Sequence, residues 1–321
     1  MKKFNQAIIF GGAGFIGKHM RACLRQTLPE MKVYVADLAV PTNTDLERKV
    51  DVRKKIEISG DFGPDTVIFN FAAIHRTPGH PDHAYFETNI SGAENVCEFA
   101  TRQGIQDIVF TSSIAPYGAS EDLKTEKSLP MPNTPYGISK LVAEKIHETW
   151  LAGDAKRSLH IVRPGIVFGT GEHGNMTRLY KALRSHRFAY AGRKDTLKAN
   201  IYVKDLTQVM LAMAESGDHL QLFNCCSYPA QTIEEIVNDM LLATNMKRHV
   251  PYIPQRPLMI AAGGAVLLGG LGLGICPARV RKLMVSTNVS GQKLSETYPL
   301  HYSLKSAFED WFKDCKEKGL E

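Results

Sequence analysis

A chain of 321 residues with 44% hydrophobic and 22% charged side chains can bury a full core, which excludes a disordered or fibrous polymer. The formal net charge of +6 is spread over scattered Lys and Arg residues with no run of five, which argues against a nucleic-acid partner. Six cysteines, at positions 23, 97, 225, 226, 276 and 315, make no CxxC pair and no metal spacing, which argues against a disulfide-stapled scaffold or a zinc site and for a reducing cytoplasm.

In chain order, Lys2 and Lys3 lead into Gln6 to Phe10 (QAIIF), the pattern of a first buried strand and not of a signal peptide. Gly17 to Leu28 predicts a helix, and Lys32 to Ala36 (KVYVA) a second strand ending at Asp37. Further strands are expected at Thr66 to Phe71, Asp107 to Phe110 and Leu159 to Val162, with helices around Ala84 to Gln103 and Tyr136 to Leu151. This alternation argues for an α/β fold, a Rossmann-type doubly wound parallel sheet covered on both faces. Beyond about residue 165 the alternation becomes irregular. Residues 1–165 are therefore expected to form the dinucleotide-binding domain, with a segment at about 195–228 returning to it, and 166–321 mainly a smaller substrate-binding lobe. Leu258 to Ile275 stands apart as an uncharged apolar run between Arg256 and the basic Arg279, Arg281 and Lys282. At about 18 residues it sits at the lower edge of spanning length, and its glycine pairs at 263/264 and 269/270 weaken a helix. A buried or surface-docked hydrophobic helix pair is the leading expectation, with peripheral membrane contact and a true span as alternatives.

Gly11, Gly14 and Gly17, in FGGAGFIG, fall between the first strand and the first helix, where bare backbone can approach a pyrophosphate at a helix N-terminus. Phe15 and Ile16 lie within the same run. Asp37 ends the second strand about twenty residues later, where a carboxylate accepts both ribose hydroxyls and repels a 2′-phosphate. No Arg stands between 38 and 47 to offset that repulsion, so NAD is favoured over NADP. Leu38 adjoins this position, and Asp51 and Val52, in KVDVR, lie where a third strand would end and face adenine, although Asp51 also suits a helix N-cap.

Tyr136 and Lys140, in PYGISK, are four apart near the start of a helix, so both project from one face. A phenol with a pKa near 10 is a poor base, but a neighbouring ammonium stabilises its phenolate. A YxxxK match alone is equally a surface pair on an amphipathic helix. Ser113, in FTSSIAPYG, ends a strand upstream and can hydrogen-bond the same reacting oxygen. No cluster of His or carboxylates has metal-ligand spacing, so no metal is expected.

Taken together, these segments resemble the extended branch of the short-chain dehydrogenase/reductase superfamily, the NAD-dependent nucleotide-sugar epimerases and dehydratases that include UDP-galactose 4-epimerase. The resemblance covers nearly the whole chain. It rests on GGAGFIG at 11–17, Asp37, NFAA at 70–73, Asn89 in ETNISGAENV, TSS with Tyr117-Gly118 at 111–118, PYGISK at 135–140, VRPGIVFG at 162–169 and YVKDL at 202–206. It implies that Ser113, Tyr136 and Lys140 are catalytic, that Phe71, Ala72 and Ala73 line the cofactor with Ser112 nearby, that Asn89 sits near the nicotinamide-side ribose, and that Pro164 and Val167 abut the carboxamide. Two positions depart from the pattern: Phe10 replaces the usual Thr, and Gly165 stands where sugar epimerases often carry Asn.

Asn175 and Met176, in GTGEHGNMTRL, open a helix whose amides suit a diphosphate, and relatives hold the nucleotide end of the sugar donor with a similar GN motif. Arg178 and Arg193 are candidate phosphate partners, Arg279 or Arg281 a candidate diphosphate clamp from the C-terminal lobe, His75 a candidate sugar contact, and Arg163 a structural residue. The expected partner is thus a nucleotide-diphosphate sugar, and the expected assembly a homodimer. A 4-epimerase is the leading expectation, a 4-keto-sugar reductase the runner-up, and a sterol- or steroid-type 3β-hydroxy dehydrogenase the second alternative. A dehydratase is disfavoured because Ile114 and Ala115 occupy the places of the Asp-Glu pair that eliminates water.

Overall fold

The computed structural model describes residues 2–40, 46–75, 79–257, 284–317 and 319–320. Arg279, Arg281 and the 258–275 segment lie outside the described residues. The first half alternates strand and helix: β1 (Gln6–Phe10), α1 (Phe15–Thr27), β2 (Lys32–Asp37), β3 (Glu47–Lys49), β4 (Thr66–Asn70), α2 (Asp82–Arg102), β5 (Asp107–Thr111), β6 (Ser120–Lys124), α3 (Pro135–Ala152) and β7 (Ser158–Pro164). Then come β8 (Ile166–Phe168), α4 (Asn175–Arg184), β9 (Tyr190–Gly192), β10 (Asn200–Tyr202), α5 (Val203–Ser216), β11 (Leu220–Cys225), α6 (Ile233–Ala243), β12 (Tyr252–Pro254), β13 (Thr287–Val289), α7 (Gln292–Thr297) and α8 (Leu304–Asp314).

Seven strands form one sheet in the order β11-β7-β5-β4-β1-β2-β3, and every pairing is parallel. Successive side chains of a strand face opposite sides, so β1 feeds two cores at once. Ala7 and Ile9 join Met20 and Leu24 of α1 and Val209, Met210 and Met213 of α5. Ile8 and Phe10 join Val96 and Phe99 of α2 and Ala143 and Trp150 of α3. With both faces covered, the middle of β1, β4 and β5 is a run of buried apolar residues, which is why these strands read as hydrophobic runs. Each such fully buried Ile or Phe contributes about 1.5–3 kcal/mol. A third core holds the C-terminal lobe, where Tyr180 and Leu183 of α4, Ile236 and Met240 of α6 and Phe308 and Trp311 of α8 surround Phe168.

Two less regular strands sit at the sheet edges. The strand β3 has the charged sequence ERK and ends at Lys49, before Asp51. Edge strands tolerate such residues because one side meets water. β11 pairs with β7 from Leu220↔Leu159 to Cys225↔Pro164, so α5 and β11 belong to the main sheet. Among the described residues no helix is long and apolar enough to cross a membrane.

Burial of two histidines sets an acid limit on this fold. His147 on α3 and His160 on β7 are fully enclosed, and burial drops each to about 4 from the usual 6.5. The unfolded chain therefore binds more protons than the folded one between about 4 and 6.5, so stability is full above that window and is lost as pH falls through it. Denaturation midpoints should decline from pH 7 to 5, and His160→Leu should flatten that decline; an unchanged slope in the variant would remove His160 from the account.

Candidate active site

The strand order reverses between β1 and β4, and their carboxyl ends form the crevice where ligands of such sheets bind. Gly11 leaves β1 with φ +75°, and a Cβ there would lie 2.9 Å from the Ala72 nitrogen and the Phe71 carbonyl carbon. A Cβ at Gly17 would lie 2.4 Å from the Gly11 oxygen, so α1 presses directly onto the turn. Gly14 caps α1 without a side chain on its amides, and the first turn carries no acidic residue. The positive helix end is therefore open to an anion, and the backbone cradle fits a dinucleotide pyrophosphate. Asp37 is drawn to the same turn, accepting from the Ala13 amide at 3.0 Å and the Ala39 amide at 2.9 Å.

Around this cradle Phe15, Ile16, Phe71, Ala72 and Ala73 are half-buried and Leu38 is exposed. Asp51 and Val52 follow β3. The Asp51 carboxylate takes Arg53 at 2.9 and 2.8 Å, which holds its pKa below the usual range, and Val52 is buried in the core against Gly92.

α3 begins with Thr134 accepting from the Gly137 amide at 3.1 Å and Pro135 in its first turn. A Cβ at Gly137 would lie 2.7 Å from the Ala115 oxygen, so the helix start is pressed against the turn that carries Ser113. That contact brings together the three residues expected from spacing. Burial pushes the phenol of the half-buried Tyr136 up, and the nearby Ser113 side chain opposes the rise. Lys140, one turn on, is 3% exposed and lies 4.6 Å from the centre of the Phe110 ring. Burial pulls its ammonium down to about 7, with Glu144 opposing.

Asn89 is buried and braces the site from α2. Its side-chain oxygen accepts from the Ile74 amide at 3.0 Å, and its nitrogen donates to the Ile74 oxygen at 3.2 Å and to Ser139 at 2.9 Å. Ser139 in turn donates to the Tyr136 carbonyl at 2.8 Å. The Ser112 hydroxyl points elsewhere, donating to the buried Glu144 carboxylate. Glu144 also takes Arg163 in a two-point ion pair at 2.8 and 2.6 Å, and Arg163 donates to the Tyr117 hydroxyl at 2.6 Å. The position of Glu144, four after Lys140 in KLVAE, placed it on the same helix face, a signal that sequence spacing carried unread.

On the substrate side, at the start of α4, Glu172 is 5% exposed and its carboxylate accepts from the Thr177 amide at 2.9 Å. Asn175 is exposed and accepts from Arg178 at 2.8 Å, while the Met176 side chain is buried in the third core and contributes packing there. Arg193 is held by Asp195 at 2.7 Å and Glu121 at 3.0 Å. His75 is exposed on the loop after β4. Pro164 ends β7 buried, and Val167 on β8 is half-buried. Gly165 explains its own departure from the Asn pattern, because a Cβ there would lie 2.5 Å from the Ala199 oxygen. Gly165→Asn should cost about 1–3 kcal/mol from overpacking, read as a lower urea midpoint; a midpoint equal to the parent's would show that 199–200 yields. Among the described residues no group of His, Cys, Asp or Glu is placed to hold a metal ion.

Comparison with known proteins meets this geometry. The sequence matches the NAD dependent epimerase/dehydratase family over residues 7–226. It is 25% identical over 320 residues to N-acetyl-alpha-D-glucosaminyl-diphospho-ditrans,octacis-undecaprenol 4-epimerase of Escherichia coli O157:H7, across 95% of this chain and 93% of that protein. Among solved structures, MoeE5 in complex with UDP-glucuronic acid and NAD superposes with a TM-score of 0.73 at 21% identity, over 97% of this chain and 99% of that one. UDP-N-acetylglucosamine 4-epimerase from Bacillus cereus superposes with a TM-score of 0.71 at 18% identity, over 95% and 97%. The glycine turn, Asp37 and the family match together make NAD the cofactor, and the chain belongs to the NAD dependent epimerase/dehydratase family as an NAD-dependent enzyme of the extended short-chain dehydrogenase/reductase type.

Proposed function

We propose that this enzyme is a nucleotide-sugar 4-epimerase that oxidises C4 transiently, with Tyr136 as the base. One observation carries the reading: the turn bearing Ser113 is pressed against the start of α3 that bears Tyr136, with Lys140 one helical turn on, at the carboxyl edge of a sheet whose glycine turn is open to a pyrophosphate. NAD, when bound, supplies the hydride acceptor and donor. Tyr136 takes the proton from the C4 hydroxyl as the carbinol becomes a ketone, and returns it when the ketone is reduced from the other face. Ser113 holds the reacting oxygen against Tyr136, and the Lys140 cation favours the phenolate. Over a full cycle no proton and no electron pair is consumed, so turnover needs no external reductant. The test is interconversion of UDP-hexose or UDP-N-acetylhexosamine C4 epimers by purified protein without added NADH or NADPH. Strict dependence on added reduced cofactor with a 4-keto sugar would replace epimerisation by reduction.

Specific observations favour a second reading of the carrier, a polyprenyl diphosphate in place of a nucleotide. Glu172 takes the Thr177 amide at the start of α4, Arg193 is committed to Asp195 and Glu121, and Gly165 offers no side-chain amide. The relative from E. coli O157:H7, by its name, acts on a sugar joined to undecaprenol through a diphosphate, and the apolar 258–275 sequence between basic residues suits contact with a membrane surface. Side-by-side turnover of UDP-N-acetylglucosamine and of N-acetylglucosaminyl-diphospho-polyprenol separates the two carriers.

Cofactor choice is testable independently of the sugar. Asp37→Ser should weaken NAD binding about 10–100-fold, the value of hydrogen bonds to a charged group, and narrow the preference over NADP. Calorimetric titration with both dinucleotides reads this, and undiminished NAD affinity would detach Asp37 from the ribose.

A further inference from the structure

We propose that Ser112 and Glu144 are positioning residues that fix the Ser113 hydroxyl relative to Tyr136, a role distinct from cofactor contact. The inference rests on the reading of Ser113, Tyr136 and Lys140 as the proton-handling set.

Ser113 and Tyr136 stand on different elements, the turn after β5 and the start of α3, 23 positions apart in the chain. For their two hydroxyls to meet one reacting oxygen, those elements must be locked together within tenths of an ångström. The backbone locks one side of the turn to β7: the Ser112 amide donates to the Val162 oxygen at 2.8 Å, and the Ile114 amide to the Pro164 oxygen at 3.1 Å. The lock to α3 is made by side chains. Ser112 donates to Glu144, which lies on α3 one turn beyond Lys140 and is fully buried. Glu144 is itself immobilised by the two-point bond from Arg163. Arg163 is fixed in turn by the buried Tyr117, whose hydroxyl donates to Asn224 of β11 at 2.9 Å. The Glu144 carboxylate therefore ties the end of β5, α3 and β7 at one point, next in sequence to Ser113 on the turn and one helical turn from Lys140 on α3. Ser112 is the link whose removal takes away one hydroxyl and leaves the ion pair intact.

The decisive variant is accordingly Ser112→Ala, with Ser112→Thr to restore the hydroxyl and Tyr136→Phe as the control on the chemistry. Loss of the tether should lower kcat about 10–50-fold, as expected for misplacement of a reacting group by a fraction of an ångström. KM for the sugar and calorimetric NAD affinity should stay within about two-fold of the parent, because the Ser112 hydroxyl is committed to the buried Glu144 carboxylate. Ser112→Thr should recover turnover to within about three-fold of the parent. A Ser112→Ala enzyme as fast as the parent overturns the proposal, as does one whose NAD affinity and thermal midpoint fall together with kcat, or a Thr variant as slow as the Ala variant. An active Tyr136→Phe enzyme would instead overturn the underlying reading of the site, so the two failures are distinguishable.

Discussion

Tyr136→Phe should lower turnover by about 10²–10⁴-fold, the usual contribution of a positioned proton-transfer group, while leaving NAD affinity unchanged. The substitution removes one oxygen and keeps the ring, so packing beside Tyr85, whose ring centre is 6.2 Å from that of Tyr136, is preserved. What disappears is the group that accepts the C4 hydroxyl proton. Without an acceptor, removal of hydride from C4 would leave a protonated carbonyl, which is the barrier the phenolate avoids. Because the proton is taken and returned by the same group, forward and reverse epimerisation should fall equally. Calorimetry with NAD and single-turnover assays on both C4 epimers check this. Full activity in the variant would exclude Tyr136 as the base, and loss confined to one direction would exclude it as the shared acid and base.

What sequence revealed and what it hid follow from how local each feature is. The glycine turn and Asp37 are legible because strand, turn and helix follow one another within one βαβ unit, and each glycine has a steric reason to be there, as the close contacts at Gly11 and Gly17 show. Tyr136 and Lys140 are legible because four residues make one helical turn. β11 was less legible: LQLFNC mixes polar and apolar residues, and its identity as the outermost strand depends on β7, some sixty positions away. The phosphate side is less local. A GN motif at a helix start reads as an open anion seat, and Glu172, three residues before Asn175, folds back onto one of its amides, that of Thr177. Sequence spacing registers a helix N-terminus and cannot register which carboxylate reaches it first. Arg193 repeats the lesson, because its partner Asp195 is a neighbour in the chain, whereas Glu121 arrives from β6.

Arg163→Leu should destabilise the fold by about 3–5 kcal/mol, the cost of leaving one member of a buried ion pair alone. Arg163 is 4% exposed; burial works against its charge, but the bonds to Glu144 outweigh that and hold the guanidinium firmly protonated. The leucine side chain fills part of the volume and supplies none of the three donated hydrogen bonds, so Glu144 keeps the Ser112 hydroxyl as its partner and Tyr117 loses its donor. In the variant the isolated carboxylate should take up a proton more readily than it does in the unfolded chain. A folded-state pKa raised in this way contributes stability at low pH and loses it as pH climbs through the raised value, so the deficit relative to the parent should be largest at pH 8 and shrink toward pH 5. Adding Glu144→Gln should recover part of the loss at pH 8, since the buried charge is then gone, and should recover little at pH 5, where the proton has already removed it. Urea denaturation of the parent, the single variant and the double variant at both pH values measures each difference. A deficit that is independent of pH and untouched by Glu144→Gln would mean that Arg163 supports the fold by packing alone and that its charge is immaterial.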